Sequence, residues 1–197
     1  MSTNHATERR QAKCVLYIIV CAAGPASSAH ELVLSAQAAG WDVCVILTPT
    51  AVHFVDVALL ECLSHHPVRS QYKRPDDPDA LPKADALVVF PATFNTINKW
   101  ALGISDTLAL GLLCELTGLQ LPIVAVPSFR TGGGLDLHPA FPRSIELLRS
   151  YGVDVFYEPE RYPPRNHIPP ADILQRLDQL IEKKTQRGTK TIKFHDI

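Results

Sequence analysis

The sequence predicts a three-layer α/β protein built on an open parallel sheet, and three observations carry that expectation. Short apolar runs recur along the chain: Val15 to Cys21, Trp41 to Leu47, Ala86 to Phe90 and Leu121 to Val126. They have strand length and no polar alternation, the pattern of parallel strands buried on both faces. Each run leads through small, polar or glycine-bearing residues toward a helical pattern, so the chain reads as repeated βα units with right-handed connections. A chain of 197 residues that is 46% hydrophobic is also long enough to cover both faces of one sheet with helices.

Strand one, Val15 to Cys21, is followed by Ala22-Ala23-Gly24-Pro25-Ala26-Ser27-Ser28, a small-residue turn that opens a helix through Ala39. Gly40 closes that helix in the usual C-terminal role. Strand two, Trp41 to Leu47, leads into Thr48-Pro49-Thr50-Ala51 and a helix from about His53. The segment His65 to Lys83 is rich in charge and proline and reads as an excursion. Strand three, Ala86 to Phe90, precedes one long helix, about Thr96 to Thr117. The strand Leu121 to Val126 then meets a glycine-rich loop, Arg130 to Gly134. A helix over roughly Phe141 to Tyr151 and a strand Val153 to Tyr157 come next. A proline-rich stretch, Glu158 to Pro170, separates them from an amphipathic helix, about Ala171 to Lys184. The expected organisation is a flexible tail over 1–13, a single domain over 14–184 and a second tail over 185–197. In architecture this is a doubly wound sheet of flavodoxin-like or Rossmann-like type.

Composition excludes several classes. The formal net charge is -1, with no basic stripe or interleaved aromatics, so nucleic acid is not an expected partner. No apolar run is long enough to cross a bilayer, and residues Met1 to Lys13 lack the apolar stretch of a signal peptide. A cytoplasmic location is expected. The five cysteines, Cys14, Cys21, Cys44, Cys62 and Cys114, form no CxxC pair and no zinc-ligand set with histidine. No metal is expected, and the cysteines in apolar segments read as small reduced hydrophobes.

Hydroxyl-bearing or small residues stand at three strand ends: Gly24, Ser27 and Ser28; Thr48 and Thr50; Thr93, Asn95 and Thr96. In a doubly wound sheet such ends lie side by side, and helix N-termini add free N–H groups there. Their convergence points to a bound phosphate ester, although each hydroxyl alone could be a helix cap. The first turn is not a GxGxxG, so a dinucleotide fingerprint is absent. Arg130 at the end of a strand could clamp a carboxylate or phosphate bidentately, or be a surface arginine on a loose loop.

The words Pro91-Ala92-Thr93-Phe94-Asn95-Thr96 and Gly103-Ile104-Ser105-Asp106, in that order, resemble the PASANT and GI-S/C-D segments of FMN-containing cysteine decarboxylases. That family comprises phosphopantothenoylcysteine decarboxylase and the lantibiotic peptidyl-cysteine decarboxylases. The resemblance covers about Val15 to Leu180. It implies FMN as cofactor, with contacts from Gly24, Ser27, Ser28, Thr48, Thr50, Pro91, Ala92, Thr93, Asn95 and Ser105. It also implies Asn95 near flavin and substrate carboxylate, in a catalytic role. A homo-oligomer is implied, a trimer or an assembly of trimers, with Trp100, Ile104 and Leu108 available for contacts. The implied chemistry is flavin-linked oxidation of a thiol-bearing small molecule or peptide. Loss of carbon dioxide then returns the electrons to the resulting thioaldehyde.

Two departures accompany the resemblance. The family histidine stands fourteen residues before the proline of PASANT, a position held here by Asp77, with His65 and His66 as other candidates. The substrate clamp P-x-M-N-x-x-M-W keeps Pro127 and a following His138-Pro139, but Phe129 replaces methionine and Arg130 replaces asparagine. Phe129 and Arg130 are therefore the expected substrate-binding positions, and His138 reads as a structural or helix-start residue. Two alternatives stand beside a decarboxylase: a flavin-binding subunit without that activity, and a flavin prenyltransferase-like protein.

Overall fold

A computed structural model describes residues 14–192 apart from 75, 79, 80, 164 and 165. The expected tail 1–13 and residues 193–197 lie outside the described residues. Five strands, β1 (Val15–Val20), β2 (Asp42–Leu47), β3 (Ala86–Ala92), β4 (Ile123–Pro127) and β5 (Asp154–Val155), form one sheet in the order β2-β1-β3-β4-β5. All four pairings are parallel. Strand order reverses at β1, where the neighbours on either side are β2 and β3, and ligands of open α/β sheets bind at such a switch point.

Alternate residues of each strand enter opposite layers, as the two-residue period of a strand requires. Tyr17, Ile19, Leu87, Val89 and Ala125 pack on one face with α3 (Phe94–Ala101), α4 (Leu108–Gly118) and α5 (Ala140–Ser150). Leu16, Ile18, Val20, Val88 and Val124 pack on the other with α1 (Ala29–Ala38), α2 (Val57–Ser64) and α6 (Pro170–Ile192). Fully burying such a side chain stabilises by about 1.5–3 kcal/mol. This double burial explains the uninterrupted apolar runs.

Several boundaries differ from expectation. The expected helix Thr96 to Thr117 is two helices. α3 ends where Gly103 takes φ +70°, with Gly103 N–H on the Trp100 carbonyl and Ile104 N–H on that of Lys99. Glycine tolerates this left-handed cap, and the chain restarts at Thr107, whose hydroxyl accepts the Leu110 N–H at 3.3 Å. After Thr48 comes a 3-10 turn, Pro49–His53, and α2 starts only at Val57. β5 pairs through two residues alone, and α6 continues past Lys184 to Ile192. The excursion after α2 runs beside β2: Arg69 N–H reaches the Val45 carbonyl and Leu47 N–H the Arg69 carbonyl.

Candidate functional site

The C-terminal ends of β1, β2 and β3 enclose a groove of about 410 Å³, in the usual range for a small-molecule site. Ala22 lines it from the end of β1, and Thr48, Pro49 and Thr50 from the end of β2. Thr93, Asn95, Thr96 and Lys99 line it from the start of α3, and Thr107 and Leu110 from the start of α4. A larger groove of about 620 Å³, lined by Gln120, Asp154 and Lys184 among others, lies at the opposite, N-terminal edge of the sheet. Strand ends and the starts of α3 and α4 favour the smaller one as the site, because helix starts present N–H groups to a ligand.

Local sequence sets each part of this groove. Thr93 is extended and caps α3, its hydroxyl accepting the Thr96 N–H at 3.4 Å and lying 3.0 Å from Thr96 Oγ1. Asn95, one turn N-terminal to Lys99, is exposed on the same face. Lys99 Nζ pairs with Asp106 at 2.5 Å, tying α3 to the segment before α4. Beneath the groove the Cys21 thiol is buried against Thr93 and Thr96. Burial pushes its pKa up, and hydrogen bonds from those two threonines oppose the shift. It therefore stays a neutral thiol rather than a nucleophile. The Thr48 side chain makes no capping hydrogen bond, which leaves its hydroxyl available to a ligand.

Beside this groove, at the ends of β4 and β5, lies an aromatic cluster. The Phe129 ring centroid is 4.7 Å from that of Phe141, 5.8 Å from Tyr157 and 6.4 Å from Phe94. Ser128 N–H on the Ala92 carbonyl joins this end of β4 to β3. From the PATFNT helix, Asn98 donates to the Phe94 carbonyl at 2.7 Å and accepts from Ser144 of α5, also at 2.7 Å.

Comparison with known proteins bears on this arrangement directly. Residues 3–178 match the family described as Flavoprotein. The chain belongs to the flavoprotein family. It is 31% identical over 150 residues to the coenzyme A biosynthesis bifunctional protein CoaBC of Bacillus subtilis (strain 168), covering 72% of this chain and 36% of that protein. This flavoprotein thus spans about a third of that relative's length. A probable phosphopantothenoylcysteine decarboxylase of Streptococcus mutans serotype c (strain ATCC 700610 / UA159) is 27% identical over 154 residues, 73% of this chain and 82% of that one. Among solved structures, the FMN-dependent cysteine decarboxylase TvaF from thioviridamide biosynthesis superposes with a TM-score of 0.67. That match has 22% identity and covers 85% of this chain and 99% of TvaF. At that identity it shows the shared fold.

Of the residues singled out in the sequence, the flavoprotein fold brings Thr48, Thr50, Thr93 and Asn95 to one groove. Gly24, Ser27 and Ser28 form the adjoining 3-10 turn, where Ser28 Oγ donates to the Pro25 carbonyl at 2.9 Å and Ser27 Oγ to that of Gly24 at 3.3 Å. Pro91 and Ala92 are buried within β3 and present backbone only; their carbonyls accept from Cys21 and Ser128. Ser105 is exposed on the α3–α4 connection. Asp77 is exposed in a turn of the excursion, its carboxylate accepting the Arg74 N–H at 3.0 Å, and it does not line the groove. His66 pairs with Asp42 at 2.8 Å, at the start of β2, whereas the groove lies past its end; His65 caps α2 beside it. Six strand residues separate the two levels, roughly 17–20 Å. Phe129 is buried in the aromatic cluster, while Arg130 is exposed. Trp100 belongs to the monomer core, its Nε1–H donating to Thr117 at 3.0 Å, whereas Ile104 is exposed. Lys99 and Thr107 join the groove without belonging to any motif word. Lys99 was legible as the residue one helical turn past Asn95, and Thr107 as a cap once the helix is divided.

Proposed function

We propose that the groove at the ends of β1, β2 and β3 binds FMN and that this chain is a flavoprotein resembling the cysteine decarboxylases. The observation that carries the reading is the donor set: Thr48 and Thr50 on a 3-10 turn, Thr93 and Asn95 at the start of α3 and Thr107 at the start of α4 line a single groove. Such an arrangement suits a phosphate ester. Three relatives or neighbours named above act in phosphopantothenoylcysteine chemistry, coenzyme A biosynthesis or FMN-dependent cysteine decarboxylation.

When bound, the flavin supplies two-electron oxidation and reduction, which the protein itself cannot. The chain's residues orient and exclude. Thr48 and Thr50 hold the anionic end, Asn95 offers its amide to flavin or substrate, and Lys99 brings positive charge partly offset by Asp106. The substrate, a small molecule or a peptide, would lose a carboxylate. Because Asp77 faces away into a surface turn and His66 sits at the other end of the sheet, phosphopantothenoylcysteine and C-terminal cysteine peptides are not the expected substrates. The same observation favours a second reading, a flavin-binding subunit without decarboxylase activity.

We also infer a cytoplasmic homo-oligomer, a trimer or an assembly of trimers. Exposed Leu102 and Tyr151 line an open groove of about 440 Å³ at the end of α3, and exposed Ile104 follows in the chain; apolar surface of this kind marks contact sites. Among the described residues no helix is long and apolar enough to cross a membrane.

Flavin fluorescence during FMN titration tests the cofactor. Saturable quenching is expected, weakened at least tenfold by Ser28→Ala combined with Thr50→Ala. Absence of binding at high micromolar FMN would overturn the reading. Sedimentation then decides the assembly: a monomer that retains FMN would remove the oligomer from it.

A further inference from the structure

The start of α4 is a wall between two cavities. Thr107 and Leu110 line the flavin groove, whereas Leu108 and Leu112 line a smaller cavity of about 240 Å³, bounded on its other side by the excursion after α2. That excursion is anchored at both ends. The Arg69 backbone pairs with Val45 and Leu47 of β2, and the Tyr17 phenol donates to the Pro82 carbonyl at 2.7 Å. Between these anchors Tyr72 reaches across to α4, where its hydroxyl donates to the Thr107 carbonyl at 3.1 Å. The phenol oxygen stands where a side chain would project from Gly111. Glycine is a poor residue inside a helix, and here its missing Cβ is what admits the hydroxyl.

Two donors converge on the Thr107 carbonyl, because the Gly111 N–H also reaches it, at 2.8 Å. The Thr107 side chain is held as well: its hydroxyl accepts the Leu110 N–H at 3.3 Å. Among the described residues the same hydroxyl donates to no acceptor, so its proton is available to a ligand in the groove. Tyr72 itself does not line that groove. Its link to the groove is the Thr107 peptide.

We propose, resting on the flavin reading above, that Tyr72 is a positioning residue for the flavin groove: through the Thr107 carbonyl it sets the start of α4 so that the Thr107 hydroxyl donates to bound FMN. Helix ends fray, and a hydroxyl already held in place gives up less freedom on binding than one on a loose first turn. Asp77, the acid of the excursion that spacing singled out, stays outside the groove. The excursion therefore serves the site as a strut and not through a titrating group.

Fluorescence titration with FMN tests this on two routes to the same bond. Tyr72→Phe removes the hydroxyl and keeps the ring, and Gly111→Ala keeps Tyr72 but displaces its hydroxyl. Each is expected to raise the Kd for FMN about fivefold, the scale of one neutral hydrogen bond. The dependence on Thr107 separates positioning from a merely structural role. On a Thr107→Ser background, which retains the hydroxyl, Tyr72→Phe should weaken FMN binding by the same factor. On a Thr107→Ala background, which has no donor to position, it should weaken binding no further. Unchanged affinity in Tyr72→Phe, or an undiminished effect of Tyr72→Phe on the Thr107→Ala background, overturns the proposal while leaving FMN binding in place. Failure of the unsubstituted protein to bind FMN overturns both readings together.

Discussion

Asn166 holds the ends of β4 and β5 together from a fully buried position, and replacing it measures what that junction contributes. Its Nδ2 donates to the Pro127 carbonyl at 3.0 Å and the Phe156 carbonyl at 2.9 Å, and its Oδ1 accepts the Glu158 N–H at 2.9 Å. The residue has φ +54°, a left-handed conformation that asparagine tolerates better than most side chains. Asn166→Ala strands three backbone groups, each costing roughly 1 kcal/mol or somewhat more, and adds about 1 kcal/mol of left-handed strain, for a loss of about 4 kcal/mol. Asn166→Gly relieves the strain but loses the same bonds and frees the unfolded chain, so it should fall within about 1 kcal/mol of alanine. Asn166→Asp places carboxylate oxygen against two carbonyls and should be at least as damaging. Urea unfolding reads these values: with a slope of about 2–3 kcal/mol/M, the alanine variant's midpoint should drop by about 1–2 M. Should Asn166→Gly unfold with the unsubstituted protein while alanine is impaired, backbone strain would account for most of the alanine loss. A loss under about 1 kcal/mol for alanine would refute the hydrogen-bond argument altogether.

Four further outcomes are expected. A Cβ at Gly111 would collide with the Tyr72 hydroxyl, and that hydroxyl donates to the Thr107 carbonyl at 3.1 Å. Gly111→Ala should therefore leave stability nearly unchanged, a helix gain of about 1 kcal/mol offsetting a lost bond of similar size. On a Tyr72→Phe background it should instead stabilise, and a double-mutant cycle by urea unfolding distinguishes the two cases. Alkylation at pH 8 followed by mass spectrometry should label exposed Cys14 and Cys62 but spare buried Cys21 and Cys44. Burial pushes the Cys44 thiol up to about 12, helped by the Asp42 charge. Between the ordinary thiol value and about 12 the unfolded chain releases a proton that the folded one keeps, so Cys44 lowers stability as pH rises there. The Gly132 and Gly134 amides hold the Asp136 carboxyl below its usual value. Its contribution to the loop between β4 and α5 is present above the unfolded aspartate value and is lost as pH falls through the lower, folded one. The Gly132 and Gly134 amide resonances should then titrate together, with a midpoint below the ordinary aspartate range. Independent midpoints would separate the carboxylate from the loop.

Sequence alone determined the layers, because a strand buried on both faces must be apolar at every position. Val15–Val20, Asp42–Leu47 and Ile123–Pro127 consequently stood out within a residue or two of their observed ends. The expected helix start, about Thr96, fell two residues after the observed one at Phe94, where Thr93 caps α3 through its own hydroxyl. The break between α3 and α4 was not legible, because one glycine is a weak stop when apolar residues continue on both sides. Phe129 stood in a binding position by register, yet its ring is drawn into Phe141 and Tyr157, which are distant in sequence. Thr107 reaches the groove because the chain turns back after α3, at Gly103. Asp77 was a candidate by its spacing from the resembling motif and His66 as a nearby alternative, and tertiary structure sent one to a surface turn and the other to the far end of β2. Periodicity and capping are local and can be read along a chain. Which side chains share a groove depends on long-range packing, and only the folded sheet decided it.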